Sequence, residues 1–283
     1  NIEIAVDAIK NGAYEFIEKP FSSERLLLTI KRSIETSLFK IENKSLKQKN
    51  IDDYKFIGDS NTIIKVKQLI DKVAPTSSRV IIYGDSGTGK DLVAKEIHKN
   101  SKYSDGNFII VNSALMEPDG IEEELFGLEE NSRIIKQGFF EQANNGTLFI
   151  DEIGDMPIQT QSKILRVLTD SSFYRVGSNE PVNVNARLLC SSTENLEKLV
   201  ENGNFRMDLF HRLNVVSITL PKLSDRTQDI DELIEYFSKI YSTNANSNTS
   251  DLRDYIKTNY MNYDWPGNVR ELRNIVERYC IIG

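Results

Sequence analysis

The pattern of apolar and polar positions divides the chain into three stretches of different character. In residues 1–11 apolar positions fall at helical spacing (Ile2, Val6, Ile9) and stop at Asn11-Gly12; Ala13–Ile17 then reads as a short buried strand running into Lys19-Pro20. A second helical pattern follows, with Ser22 as N-cap and Glu24 in the first turn. Leu27, Ile30, Ile34, Leu38 and Ile41 step along it by threes and fours before it fades into the lysine-rich KIENKSLKQKN. From Phe56 the character changes. Short apolar runs at 79–83, 108–111, 146–150 and 186–190 alternate with amphipathic stretches, which argues an α/β fold with a parallel sheet flanked by helices. From about Asp225 the strands stop and helical periodicity continues, predicting a smaller helical domain. The expected division is a strand-ended piece at 1–21, a linker helix at 22–55, an α/β unit at 56–224 and a helical unit at 225–283.

Composition narrows the function classes. The 283 residues are 39% hydrophobic and 27% charged, as in ordinary globular chains. No apolar run approaches the roughly 18–20 residues of a membrane span, and no signal peptide opens the chain. The chain starts at Asn1 inside a helical pattern, as expected of a piece of a longer protein. A net charge of −7 leaves no global basic footprint for nucleic acid. Cys190 and Cys280 are far apart and lack ligand spacing, so they read as core thiols of a reducing cytoplasm. His98 and His211 have no ligand-like partners nearby and read as structural.

The chemistry concentrates in two motifs. GDSGTGKD supplies Gly84, Asp85, Ser86, Gly87, Thr88, Gly89, Lys90 and Asp91 between a predicted strand and a helix over Leu92–Asn100. A glycine-rich loop there can wrap phosphates with its own N–H groups, and Lys90 adds a point charge beside the helix N-terminus. Asp91 stands where Ser or Thr would offer Mg2+ a hydroxyl, so any metal contact at that position is carboxylate-based or through water. The second motif is TLFIDE, an apolar strand that delivers Asp151 and Glu152 to its C-terminal edge. Asp151 is suited to hold Mg2+, and Glu152 to polarise a water for attack on the γ-phosphate of ATP.

Taken in order, IYGDSGTGKDLVAKEIH, ELFG, GFFEQANNGTLFIDEIGDMP, FRMDLFHRLNVV and WPGNVRELRN resemble the P-loop AAA+ domain and C-terminal lid of NtrC-like, sigma-54-dependent response regulators. AIKNGAYEFIEKPF likewise resembles the end of a receiver domain, where Lys19 would contact the phosphorylated aspartate. The resemblance implies further roles. Asn112 would hold Glu152 until a substrate protein engages. Arg206 and Arg212 would reach the γ-phosphate of a neighbouring subunit, and Arg270 would be the second sensor in the lid. The first sensor's usual Thr-Asn falls on Ser192-Thr193, a shorter side chain with less reach. The implied partners are a second copy (a dimer through the linker helix, or a ring) and a sensor histidine kinase acting on the complete receiver. DNA would be reached only through a module beyond Gly283.

The family's GAFTGA motif, which touches sigma-54, should follow ELFG, but Gly127 is followed by LEENSRIIKQ and then Gly138. That points to the NtrX-like branch: an ATP-binding regulator of transcription without sigma-54 activation. Two alternatives stay open. One is a sigma-54 activator with a diverged loop; the other is a nucleotide-gated scaffold without turnover.

Overall fold

The computed structural model describes residues 55–117, 120–241, 249–260 and 263–282. The strand-ended piece with Lys19 and all but the last residue of the linker stretch lie outside the described residues. A unit boundary falls between Lys55 and Phe56, and everything below concerns the second unit.

In chain order the α/β part runs α1 (Asn61–Val73), β1 (Val80–Tyr83), α2 (Lys90–Lys99), β2 (Phe108–Asn112), α3 (Ile121–Phe126), β3 (Gly127–Glu130), β4 (Arg133–Gln137), α4 (Phe139–Gln142), β5 (Thr147–Asp151), α5 (Ile158–Asp170), β6 (Ser172–Tyr174), β7 (Pro181–Asn183), β8 (Arg187–Ser192), α6 (Leu196–Glu201), α7 (Met207–Leu213) and β9 (Val216–Thr219). A 3-10 turn over Leu223–Asp229 leads to the lid helices α8 (Ile230–Tyr241), α9 (Thr249–Asn259) and α10 (Asn268–Ile282).

Five strands form one parallel sheet in the order β2-β5-β8-β1-β9. Strand alternation explains its burial on both faces. Ile81, Leu148, Ile150, Leu188 and Cys190 point into one apolar cluster with α3, α5 and α7. Val80, Ile82, Phe149 and Leu189 point into the other, against α1 and α2. Each of these side chains removed from water is worth roughly 1.5–3 kcal/mol, so the doubly covered sheet is a stiff base for whatever lies at its edge.

Burial at the N-terminal edge follows from charge satisfaction. Arg187 is 2% exposed and donates to the carbonyls of Val73, Ala74 and Ser78, capping the C-terminal end of α1. The apolar pattern does not announce β9, because only Ile218 of that strand is buried. Nor does it announce the β3–β4 hairpin, whose turn residues Asn131 and Ser132 both take positive φ, 48° and 60°.

His98 lies inside α2 and is 3% exposed, its Nδ1 2.8 Å from Thr147 Oγ1. Burial, helped by the Arg187 charge, pushes the imidazole down to about 4. The unfolded chain therefore takes up a proton that the folded chain refuses. The neutral histidine's contribution is complete above pH 6.5 and is lost as pH falls from about 6.5 to about 4, by up to about 3 kcal/mol. Denaturant unfolding across that window should show this loss in the parent chain and a flatter profile in His98→Gln. Parallel profiles would contradict it.

Candidate functional site

The loop between β1 and α2 begins where β1 leaves the sheet. Lys90, the first residue of α2, is 7% exposed, and its Nζ is 2.8 Å from the Gly84 carbonyl, 3.0 Å from Thr193 Oγ1 and 2.9 Å from Glu152 Oε1. The N–H groups of Gly87, Gly89, Lys90 and Asp91 donate to no acceptor among the described residues. They are the orphan donors of a helix start, beside a buried ammonium. Gly87, at φ 80°, lets the lid close on the loop: a Cβ there would lie 2.2 Å from the Gly267 carbonyl. Thr88 is buried and its hydroxyl donates to the Asp85 carbonyl at 2.7 Å, fixing the bend. Asp91 is exposed in the first turn of α2.

The acidic pair stands at the end of β5. Asp151 accepts from the Ser191 hydroxyl on β8 and from Asn112 Nδ2 at 3.2 Å. Glu152 takes φ 54° and ψ 56°, a left-handed conformation costly for a non-glycine residue. Its N–H donates to Ser191 Oγ at 3.0 Å. Its carboxylate accepts from the Thr193 hydroxyl at 2.6 Å, the Thr193 N–H at 2.8 Å and Lys90. Burial alone would push this carboxyl up, but the Thr193 and Lys90 hydrogen bonds and the Lys90 charge outweigh it and hold the group below its ordinary value.

One expectation changes in the structure. Asn112 reaches Asp151 and not Glu152, because the parallel register sets Asn112 directly opposite Asp151, while Glu152 is turned away by its positive φ. Thr193 stands between Lys90 and Glu152: its hydroxyl accepts from one and donates to the other.

The lid reaches the same loop. Arg270 donates from NH1 to Ser86 Oγ at 3.0 Å and from its N–H to the Gly87 carbonyl at 3.3 Å. Asn268, 1% exposed, donates to the Ser86 carbonyl at 3.0 Å and accepts the Leu223 N–H at 2.9 Å. Lys222 pairs with Asp85 at 3.1 Å. Sequence reasoning passed over Asn268, although it stands inside the WPGNVREL stretch, and Ser191, whose only signal was its place one residue before Ser192-Thr193. Arg206 and Arg212 lie at either end of α7. Arg206 makes a two-pronged pair with Asp208 at 2.7 and 3.0 Å, and Arg212 donates to the Leu168 carbonyl at 3.1 Å. Neither has a partner in the glycine-rich loop among the described residues.

Free loop amides, a buried ammonium and two sensor-like side chains converging on one strand edge suit a polyphosphate. Among the described residues no cluster of three or more His, Cys, Asp or Glu could itself hold a metal. Asp151 as a lone carboxylate fits a divalent cation such as Mg2+ that takes its other ligands from phosphate and water.

Comparison with known proteins gives the family. The Sigma-54 interaction domain family matches residues 56–219, and the AAA+ ATPase lid domain family matches residues 224–283. Nitrogen assimilation regulatory protein NtrX of Azorhizobium caulinodans is 43% identical over the whole chain, and the DNA-binding transcriptional regulator NtrC of Proteus hauseri is 40% identical over 97% of it. The chain spans 62% and 59% of the lengths of these two relatives. Crystal structures of Brucella abortus NtrX in complex with ADP and with ATP superpose with TM-score 0.75, at 44% and 43% identity over the whole chain and 64% and 61% of theirs. The chain therefore belongs to the sigma-54 interaction family of AAA+ ATPase domains, alongside the NtrX and NtrC response regulators.

Proposed function

We propose that this chain is the ATP-binding central module of an NtrX-like two-component response regulator, a cytoplasmic protein controlling transcription, and that it hydrolyses ATP. The observation that carries this reading is the convergence of Lys90, Thr193 and Glu152 beneath a loop of unpartnered amides. The ATP and ADP complexes of the Brucella abortus relative support it. Within the module, residues 56–224 hold the phosphates and residues 225–283 form the lid. Bound ATP with Mg2+ would supply an electrophilic γ-phosphoryl group with part of its charge neutralised.

The loop amides and Lys90 bind the phosphates, Asp151 would hold the cation, and Arg270 senses the phosphates from the lid. As Lys90 turns from Glu152 to the phosphates, Glu152 loses the charge that keeps its basicity down. Thr193 still orients it, so its carboxylate becomes a better acceptor for the proton of an attacking water. Arg206, which precedes α7, and Arg212, on the outer face of that helix, serve a neighbouring copy's site, which makes hydrolysis depend on self-association. Signalling from a sensor kinase and contact with DNA belong to the rest of the protein.

A second reading has one observation in its favour. Where the family's sigma-54 contact would stand, the chain folds a β3–β4 hairpin with Ile134 and Ile135 exposed at 48% and 53%. A diverged grip on sigma-54 would use these side chains.

Two measurements separate the readings. Lys90→Ala should weaken ATP binding by about 30-fold or more in calorimetric titration, the scale of one lost charge-assisted hydrogen bond of about 2 kcal/mol. Unchanged affinity would overturn the nucleotide site. In pull-downs with an ATP transition-state analogue, sigma-54 should not be retained above background. Retention that Ile134→Ser with Ile135→Ser abolishes would establish the second reading instead.

A further inference from the structure

The 3-10 turn between β9 and the lid carries two buried charges that no step above uses. Arg226 and Asp229 are each 2% exposed. Arg226 NH2 donates to the Thr88 carbonyl at 3.2 Å, at the centre of the phosphate-binding loop, and its Nε has no partner. Its φ of −138° and ψ of 44° break the turn at that residue. Asp229 faces the other way in the chain. Its carboxylate accepts the Asp59 N–H at 2.9 Å, the Ser60 N–H at 2.7 Å and the Ser60 hydroxyl at 2.7 Å. Those residues start α1 and stand just past the boundary at Lys55 and Phe56. Burial lowers the pKa of the Arg226 guanidinium, and the Asp229 charge opposes this. One short turn thus grips the phosphate-binding loop with one side chain and the leading segment of the ATPase unit with another.

Buried ionic groups are costly unless their hydrogen bonds are met, so the pair resists independent movement of what it holds. Lys222 on Asp85 and Asn268 on Ser86 extend the same grip along the loop. With Arg270 on Gly87 and Arg226 on Thr88, each residue from Asp85 to Thr88 is held from the hinge or lid.

We propose that Arg226 and Asp229 are positioning residues that tie the Thr88 carbonyl to Asp59-Ser60, so that displacing this leading segment changes the affinity of the loop for nucleotide. This rests on the nucleotide-binding reading above.

The test is a double-mutant cycle between residues that do not bond each other. Ser60→Ala removes one donor to Asp229 and the acceptor that caps the Ile63 N–H of α1, and touches no residue of the loop. It should raise the Kd for ATP by about tenfold in the parent chain, the effect of one buried hydrogen bond to a charged group. In an Arg226→Gln background it should add less than about twofold; Arg226→Lys, which keeps the buried charge, replaces Gln where that variant does not fold. Hydrogen exchange without nucleotide gives the second readout: amides 85–91 should exchange faster in Ser60→Ala, while β5 and β8 keep their protection. Unchanged exchange at 85–91, or fully additive effects on Kd, would overturn the coupling. A parent chain that binds no ATP would overturn the nucleotide reading instead, and the exchange measurement would still decide the coupling.

Discussion

The contact of Lys90 with Glu152, bridged by the Thr193 hydroxyl, organises the rest of the structure. An ammonium 7% exposed and a carboxylate 23% exposed stand 2.9 Å apart at the edge of an apolar sheet. Such a pair is stable only where further donors and acceptors complete it. The Gly84 carbonyl does so for Lys90, and the two Thr193 groups do so for Glu152. The strained backbone of Glu152 is the cost of aiming its carboxylate at β8 and not along β5. On the proposed reading the same three residues are a phosphate partner, a base and its orienting group, so completion of the ion pair and the proposed chemistry are one arrangement.

That arrangement needs a rigid base and a movable cover. The base is the doubly buried sheet, whose register alone brings Asn112 and Ser191 to Asp151. The cover is the lid, joined to the loop by polar contacts and by the Gly87–Gly267 approach. Polar contacts with partners on both sides exchange readily against phosphate oxygens and water, whereas an apolar interface would have to be opened against its full burial. The hinge turn over Leu223–Asp229 is where the two requirements meet, which is why its charges are buried.

Much of this was legible in the chain. Short continuous apolar runs located four of the five sheet strands, and the glycine spacing located the loop, because both signals are local. The hairpin was not legible: its turn, Asn131-Ser132, lacks glycine, and Ile134 and Ile135 are adjacent and exposed, which matches neither strand nor helix periodicity. The Asn112 contact depended on strand register, which no single strand reveals. Asn268 and Arg226 act on residues 182 and 138 positions away, so their roles exist only in the folded chain. The site's residue types were readable, while the pairings that tune them were not.

The most direct measurement is ATP turnover per protomer as a function of protein concentration, with Glu152→Gln as the blank. With Glu152 as base and Arg206 and Arg212 acting across copies, turnover per protomer rises with concentration and falls to background in the variant. A rate that is flat with concentration and equal to that of Glu152→Gln, with ATP bound, would contradict hydrolysis and leave a nucleotide-gated switch.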